Sequence, residues 1–173
     1  MNNKSKVLIA KYTLYAFVIV LLYVLQTTPR FLTILDVKPN FVIPAAVCIA
    51  MLEGEFIGGL YGALAGILCD LGGRMLFGFN AIIVMVSCVC VGLLVIYLLR
   101  SGVINFVLLV TGTMLLRGLL EYLLGFVMWN YENVWMVLVY MIVPAILYTA
   151  AVSPLIYYLF RWMNGKFAEY LQV

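Results

Sequence analysis

Long apolar runs dominate this chain and restrict what it can fold into. Hydrophobic residues make up 67% of its 173 residues and charged residues only 10%, whereas soluble domains have about 45–50% apolar and about 25% charged residues. A helix needs about 20 mostly apolar residues to cross a bilayer. The sequence therefore predicts an all-α integral membrane protein, with six transmembrane helices in a single compact bundle over residues 1–173. The six runs cover residues 7–26, 41–52, 56–73, 79–99, 103–128 and 134–160.

The second run, 41–52, is short for a crossing. Lys38 and Glu53 bracket it, and it contains Pro44. We expect either that the charges at its ends reach outward to the headgroups or that the bilayer is thinned around it.

Basic residues near the ends of the runs indicate how the chain crosses the membrane. Six crossings place both termini on one side, and loops rich in Lys and Arg stay in the cytoplasm. We therefore predict a multi-pass protein of the cytoplasmic membrane, surrounded by lipid, with its N- and C-termini in the cytoplasm. The inward set is Lys4, Lys6, Lys11, Arg100, Arg161 and Lys166, and the outward set is Arg30, Lys38 and Arg74.

The residue types that usually carry catalysis are scarce. The chain has no histidine, and its four cysteines lie in apolar runs without a CxxC spacing, so zinc sites and Ser-His or Cys-His nucleophiles lack candidates. Glu53 and Glu55 lie two apart at a turn, where we expect solvated charges. The net charge of +3 is dispersed, which does not indicate nucleic-acid binding. We predict a non-enzymatic protein without metal or cofactor.

Four glycines recur at intervals of four residues in and before the third run. Such a row lets another helix backbone approach closely, and in lipid this close contact drives much of helix association. Two partners are compatible with the pattern: another helix of the same chain, or a helix of a partner protein. The glycines are Gly54, Gly58, Gly62 and Gly66.

Charged residues also occur inside the runs. Arg117 lies in the middle of the fifth run, where a charge costs at least about 2.5–3.5 kcal/mol, and Glu121 is one turn away on the same face. Asp70 continues the glycine row and has Arg74 four residues on, in the orientation that favours a local pair.

Depth suggests a larger arrangement of these charges. Asp70 and Arg117 are each about 21 Å from the inner start of their helices, at about 1.5 Å per residue. We therefore predict a buried polar cluster in the outer half of the bundle, with Asn80 close by. Its members are Asp70, Arg74, Arg117 and Glu121.

Two prolines, Pro144 and Pro154, fall inside the sixth run. Each removes a backbone donor and should kink the helix. The kink is either a packing adjustment or a hinge.

The block VKPNFVIPAAVCIAMLEGEFIGGLYGALAGILCDLGGRMLFGFNAI, residues 37–82, resembles the MreD family of rod shape-determining membrane proteins. The resemblance comprises a second run with Pro44, a short acidic turn, a glycine-rich third helix ending in Gly66-x-x-x-Asp70, and a Gly-Phe-Asn that opens the fourth. The length and the six-helix layout agree over the whole chain.

This resemblance implies a non-enzymatic scaffold of the bacterial cell-elongation machinery in the inner membrane. It implies a partnership with the single-pass protein MreC, and a role in coupling MreB filaments to peptidoglycan synthesis by RodA and a class B penicillin-binding protein. The glycine row and the second run are then candidate docking surfaces, and self-association is also compatible with the sequence.

The family is also similar in architecture to the substrate-binding subunits of vitamin transporters. The alternative function is therefore a small-molecule-binding subunit, with the outer polar cluster and Trp129 or Trp135 lining a pocket. An enclosed polar cavity would favour this alternative, whereas a collapsed bundle with an exposed glycine row would favour the scaffold.

Overall fold

The computed structural model describes residues 3–28, 38–72, 76–127, 136 and 138–171. This part of the chain is helical and contains no strand. Six α-helices have both ends within these ranges: α1 (Asn3–Thr27), α2 (Val42–Glu53), α3 (Glu55–Leu71), α4 (Phe79–Tyr97), α5 (Val103–Tyr122) and α6 (Val143–Leu171). Two π-helical turns, Leu123–Val127 and Leu138–Ile142, lie in the part of the chain between α5 and α6, where residue 136 is also helical.

Four helical stretches in the described residues are long and apolar enough to cross a membrane. They are Ser5–Thr27, Phe79–Tyr97, Val103–Gly125 and Leu138–Phe167. Helix α3, with 17 residues, rises about 25 Å and is slightly shorter than the hydrocarbon core of a bilayer. The predicted sixth run ends at residue 160, but α6 continues to Leu171, and Met163 is buried in the bundle.

Consecutive helices run antiparallel. Lys11 of α1 meets Glu53 at the end of α2, while Gln26 of α1 meets Phe41 at its start. We call the end of the bundle where α1 begins the amino end, and the opposite end the far end.

Helix α2 lies at the centre of this bundle. All its residues from Val42 to Met51 are buried, and helices α1, α3, α4, α5 and α6 all contact it. Its 12 residues rise only about 18 Å. An apolar run of this length is typical of a core helix, and the surrounding helices cover it. The expectation of a docking surface on this run was wrong, because α2 has no exposed face.

The outer surface of the bundle is apolar. Large side chains such as Phe17, Leu60, Leu108 and Leu155 are more than half exposed, whereas Asn80, Thr149 and Ser153 are buried. Polar groups inside and apolar groups outside are the distribution that lipid favours.

Candidate functional site

A hydrogen-bonded junction at the far end joins α3 to α4 through Asp70. Its carboxylate accepts hydrogen bonds from the backbone N–H groups of Gly78 at 2.9 Å, Asn80 at 3.0 Å and Ala81 at 3.2 Å. The side-chain amide of Asn80 donates a fourth bond, at 2.9 Å. Because the first N–H groups of a helix lack partners within it and carry partial positive charge, a carboxylate there is stabilising. Asp70, only 6% exposed, thus caps α4 from the neighbouring helix.

Asn80 extends the junction to α5. Its Oδ1 accepts a hydrogen bond of 2.5 Å from Arg117 Nε, and Arg117 Nη2 lies 3.6 Å from a carboxylate oxygen of Glu121. The structure therefore brings Asp70, Asn80, Arg117 and Glu121 into one polar chain, which we call the far-end network.

The far-end network differs from the predicted cluster in its connections. Asp70 and Arg117, predicted at the same depth in one cluster, are joined through Asn80, which lies between them. The described acidic partner of Arg117 is Glu121, which the sequence places one turn away on the same face. Arg74, the fourth member of the predicted cluster, lies outside the described residues.

The glycine row packs against helices of the same chain. A Cβ added at Gly58 would lie 2.4 Å from the Cβ of Ala50 in α2, and one at Gly66 would lie 2.3 Å from the Cα of Ala81 in α4. At Gly62 the nearest atom would be the Cβ of Cys88, at 2.9 Å. These distances leave no room for a side chain. The row is therefore covered from within, and the alternative of an exposed docking surface for a partner helix does not hold.

Gly54 has a different role from the other three glycines. It alone separates α2 from α3, and its φ of +90° is a conformation that residues with a Cβ rarely adopt. Its N–H donates to the carbonyl of Ala50 and ends α2. This one-residue turn lets α3 fold back directly onto α2.

The two prolines occupy different parts of α6. Pro144 is its second residue and directly follows the π-helical turn Leu138–Ile142, so it lies within the continuous helical stretch Leu138–Phe167. Pro154 is inside the helix and cannot donate to the carbonyl of Ala150. The hydroxyl of Ser153 donates to that carbonyl instead, at 2.8 Å. A satisfied carbonyl favours a packing adjustment over a hinge at Pro154.

A buried ion pair that the sequence did not predict lies at the amino end. Lys11 Nζ lies 2.5 Å from Glu53 Oε1, and both side chains are less than 10% exposed. The hydroxyl of Tyr15 also donates to Glu53, at 3.3 Å. The expectation of a solvated Glu53 was wrong, because α1 covers it. A lysine one turn inside an apolar run was the available signal, but it was attributed to orientation alone.

The buried start of α2 is held by polar groups from three segments. Gln26 accepts from the N–H of Phe41 at 2.9 Å, Thr149 accepts from the N–H of Asn40 at 3.0 Å, and Asn40 itself accepts from the N–H of Ile43. Pro44 has no N–H to satisfy. These contacts help a helix to begin inside the bundle, since the N–H groups of the two residues before it and that of Ile43 are paired there.

No group of three possible metal ligands occurs in the described ranges. Cys48, Cys69 and Cys88 are buried thiols, and Cys90 is exposed on α4. The aromatic residues Trp129 and Trp135, proposed as pocket-lining residues in the transporter alternative, fall outside the ranges that the structure describes.

The fold, together with the far-end network and the Lys11–Glu53 pair, defines the class of protein. It is an all-helical protein with several helices of membrane-spanning length and apolarity. Comparison with protein-family models, curated proteins and solved structures finds no match.

Proposed function

We propose that this chain is a six-crossing membrane scaffold of the bacterial cell-elongation complex, similar to MreD, with both termini in the cytoplasm. In this proposal the amino end of the bundle faces the cytoplasm and the far end faces outward. The six helices, four of them apolar enough to span a bilayer, and the apolar outer surface support membrane insertion.

One observation carries the proposal beyond membrane insertion. The sequence pieces that resemble the MreD family are separated along the chain, yet they meet at one junction. Asp70, at the end of Gly-x-x-x-Asp, accepts hydrogen bonds from Gly78 and Asn80 of Gly-Phe-Asn, and Gly66 allows the close approach of α4 beneath it. Gly-x-x-x-Asp and Gly-Phe-Asn together join α3 to α4, which gives a physical reason for the two motifs to occur in the same chain.

The packing points to the outer surface of the bundle, rather than to the glycine row or α2, as the place where a partner would bind. Because the glycine row and α2 are covered within the chain, the transmembrane helix of MreC would dock on the outward-facing apolar side chains. MreB, RodA and a class B penicillin-binding protein would then be neighbours in the same complex. Self-association would use the same outer surface.

The alternative function is a small-molecule-binding subunit of a vitamin-type transporter. At the depth of α2 the centre of the bundle is filled by side chains that are 0–5% exposed, which favours a scaffold over an enclosed pocket at that depth. The partly exposed Arg117 and Glu121 are the observation in favour of the transporter reading, because they offer charge near the far end.

Depletion and co-isolation test the proposal together. In a rod-shaped bacterial host, depleting the protein should produce rounded cells, and expressing it again should restore rods. Isolation of the tagged protein in mild detergent should recover a single-pass membrane partner, which an unrelated six-helix protein with the same tag does not recover. Normal rods after depletion would contradict the proposal. A stoichiometric bound vitamin-like molecule would replace it with the transporter alternative.

A further inference from the structure

A groove of about 330 Å³ opens at the amino end of the bundle. Three segments form it: the end of α2, the connection between α4 and α5, and residues 157–165 of α6. Its lining residues are Leu52, Ser101, Tyr157, Arg161, Asn164 and Gly165.

The guanidinium of Arg161 is held in position in this groove. Its Nη1 donates a hydrogen bond of 3.0 Å to the hydroxyl of Tyr157, and its Cζ lies 5.7 Å from the centre of the same ring. Tyr157 is fully buried and packs on Phe106, so the ring is a rigid support. A guanidinium oriented in advance loses less side-chain entropy when it binds a ligand.

Most of the binding capacity of Arg161 is unused. A guanidinium has five N–H donors, and the bond to Tyr157 takes one. Among the residues whose side chains the structure describes, which do not include Glu169, no carboxylate lies within ion-pair distance of Arg161. Glu53, which follows the groove residue Leu52, is already paired with Lys11. The positive charge of the groove is therefore not neutralised by that nearby acid.

The other polar groups of the groove suit an anion with several oxygens. The hydroxyl of Ser101 and the amide of Asn164 add neutral hydrogen-bond donors beside the guanidinium. Gly165 leaves the rim open, because a Cβ there would meet no atom within 4 Å. A planar guanidinium with neighbouring donors is the arrangement that proteins use for phosphate.

The surroundings of the groove identify the source of such a phosphate. On α6, Leu155, Tyr158 and Trp162 are all more than 60% exposed, so an apolar stretch passes into aromatic side chains at the level of the groove. Exposed tyrosine and tryptophan rings prefer the headgroup region of a membrane. Basic pockets between helices at the cytoplasmic face are suited to anionic lipid headgroups.

We propose that this groove binds the headgroup phosphate of one anionic phospholipid, with Arg161 as the main ligand and Ser101 and Asn164 as further donors. The acyl chains lie along the apolar surface of α6 beside it. The inference rests on the membrane insertion proposed above, but it does not depend on the role in cell elongation.

Native mass spectrometry of the full-length protein in mild detergent tests this site. Added phosphatidylglycerol should bind at one site more tightly than phosphatidylcholine, and Arg161→Gln should weaken that binding about tenfold. Lys166→Gln is the matched control, since it removes the same charge from the same end of α6. Lys166 stacks on Trp162 outside the groove, so its loss should weaken binding less than threefold. Equal losses in the two variants would overturn the proposal.

A second variant and a competitor complete the test. Tyr157→Phe keeps the buried ring and removes only the hydroxyl that orients the guanidinium, so it should weaken lipid binding about three- to fivefold. If Arg161→Gln does not fold, this variant carries the measurement, and unchanged binding would overturn the proposal. Displacement of the lipid by millimolar inorganic phosphate would assign the groove to a soluble phosphate instead. Cell shape after depletion reports separately on the scaffold function.

Discussion

At the scale of single residues, the two ends of the bundle bury charge in different ways. At the amino end, Lys11 and Glu53 neutralise each other. At the far end, the charge of Asp70 is stabilised by three backbone N–H groups at the start of α4 and by the amide of Asn80. A cation is needed in the first case and not in the second, because backbone dipoles already carry the compensating charge.

This difference predicts that a second substitution restores stability in one pair of residues and not in the other. Lys11→Met should destabilise the protein by about 3–5 kcal/mol, since Glu53 is left buried without a counter-ion, and adding Glu53→Gln should recover most of that loss. Asp70→Asn should cost about 2–3 kcal/mol through weakened hydrogen bonds to the start of α4, and adding Arg117→Gln should recover nothing. Denaturant titration in detergent micelles measures both pairs.

Lys6→Met provides the control for the first pair, because Lys6 is exposed on the same helix and its loss should change stability by less than about 0.5 kcal/mol. Recovery of Asp70→Asn by the change at Arg117 would mean that the two side chains pair directly.

At the scale of helices, small residues determine which surfaces meet. Gly58 admits α2, and Gly62 and Gly66 admit α4, so α3 is pressed between two neighbours of the same chain. Gly92 of α4 makes the reciprocal approach to the backbone of Glu55. In an apolar solvent such contacts replace the hydrophobic effect as the force that holds helices together.

Substitution by alanine should therefore affect stability very differently at two glycines. Gly66→Ala should destabilise the bundle by about 1–3 kcal/mol, because the new Cβ would collide with the backbone of α4. Gly112→Ala should be neutral or stabilise by up to about 1 kcal/mol, since no atom lies within 4 Å of a Cβ there. Thermal unfolding of both variants in the same detergent measures the difference. Equal stability of the two would show that α3 and α4 are not in contact as described.

At the scale of the whole molecule, one short helix organises the rest. Helix α2 rises only about 18 Å, less than the hydrocarbon thickness of a bilayer. Five helices enclose it, and polar groups at its two ends tie it to α1. Glu53 meets Lys11 at one end, and the N–H of Phe41 meets Gln26 at the other. The bundle therefore has charged or amide groups near each end of α2, while the residues of α2 between them are apolar.

Accessibility of introduced cysteines tests the proposed orientation. We expect a membrane-impermeant maleimide added to intact cells to label Leu76→Cys between α3 and α4, but not Ser5→Cys or Ser101→Cys, all three being exposed positions. Permeabilised cells should label all three. Cys90 is replaced by alanine in each variant, and the other three cysteines are buried. If intact cells label Ser5→Cys and Ser101→Cys but not Leu76→Cys, the orientation is the reverse of the one proposed. If intact cells label both Ser5→Cys and Leu76→Cys, the result contradicts six crossings.

The sequence is sufficient to predict the helical class, the approximate positions of the helices and the small-residue face of α3. These properties depend on local composition and on spacing along one helix. It also placed Asp70 and Arg117 at one depth, because helical rise converts residue number into distance.

The contacts between polar groups depend on how the helices pack against one another. Asn80 lies between Asp70 and Arg117. Lys11 pairs with Glu53, and α2 is enclosed rather than facing lipid. All three results depend on the rotation and order of the helices in the bundle. No spacing along the chain specifies that rotation. It is set by the close contacts at Gly58, Gly62 and Gly66 and by the need to satisfy each buried polar group.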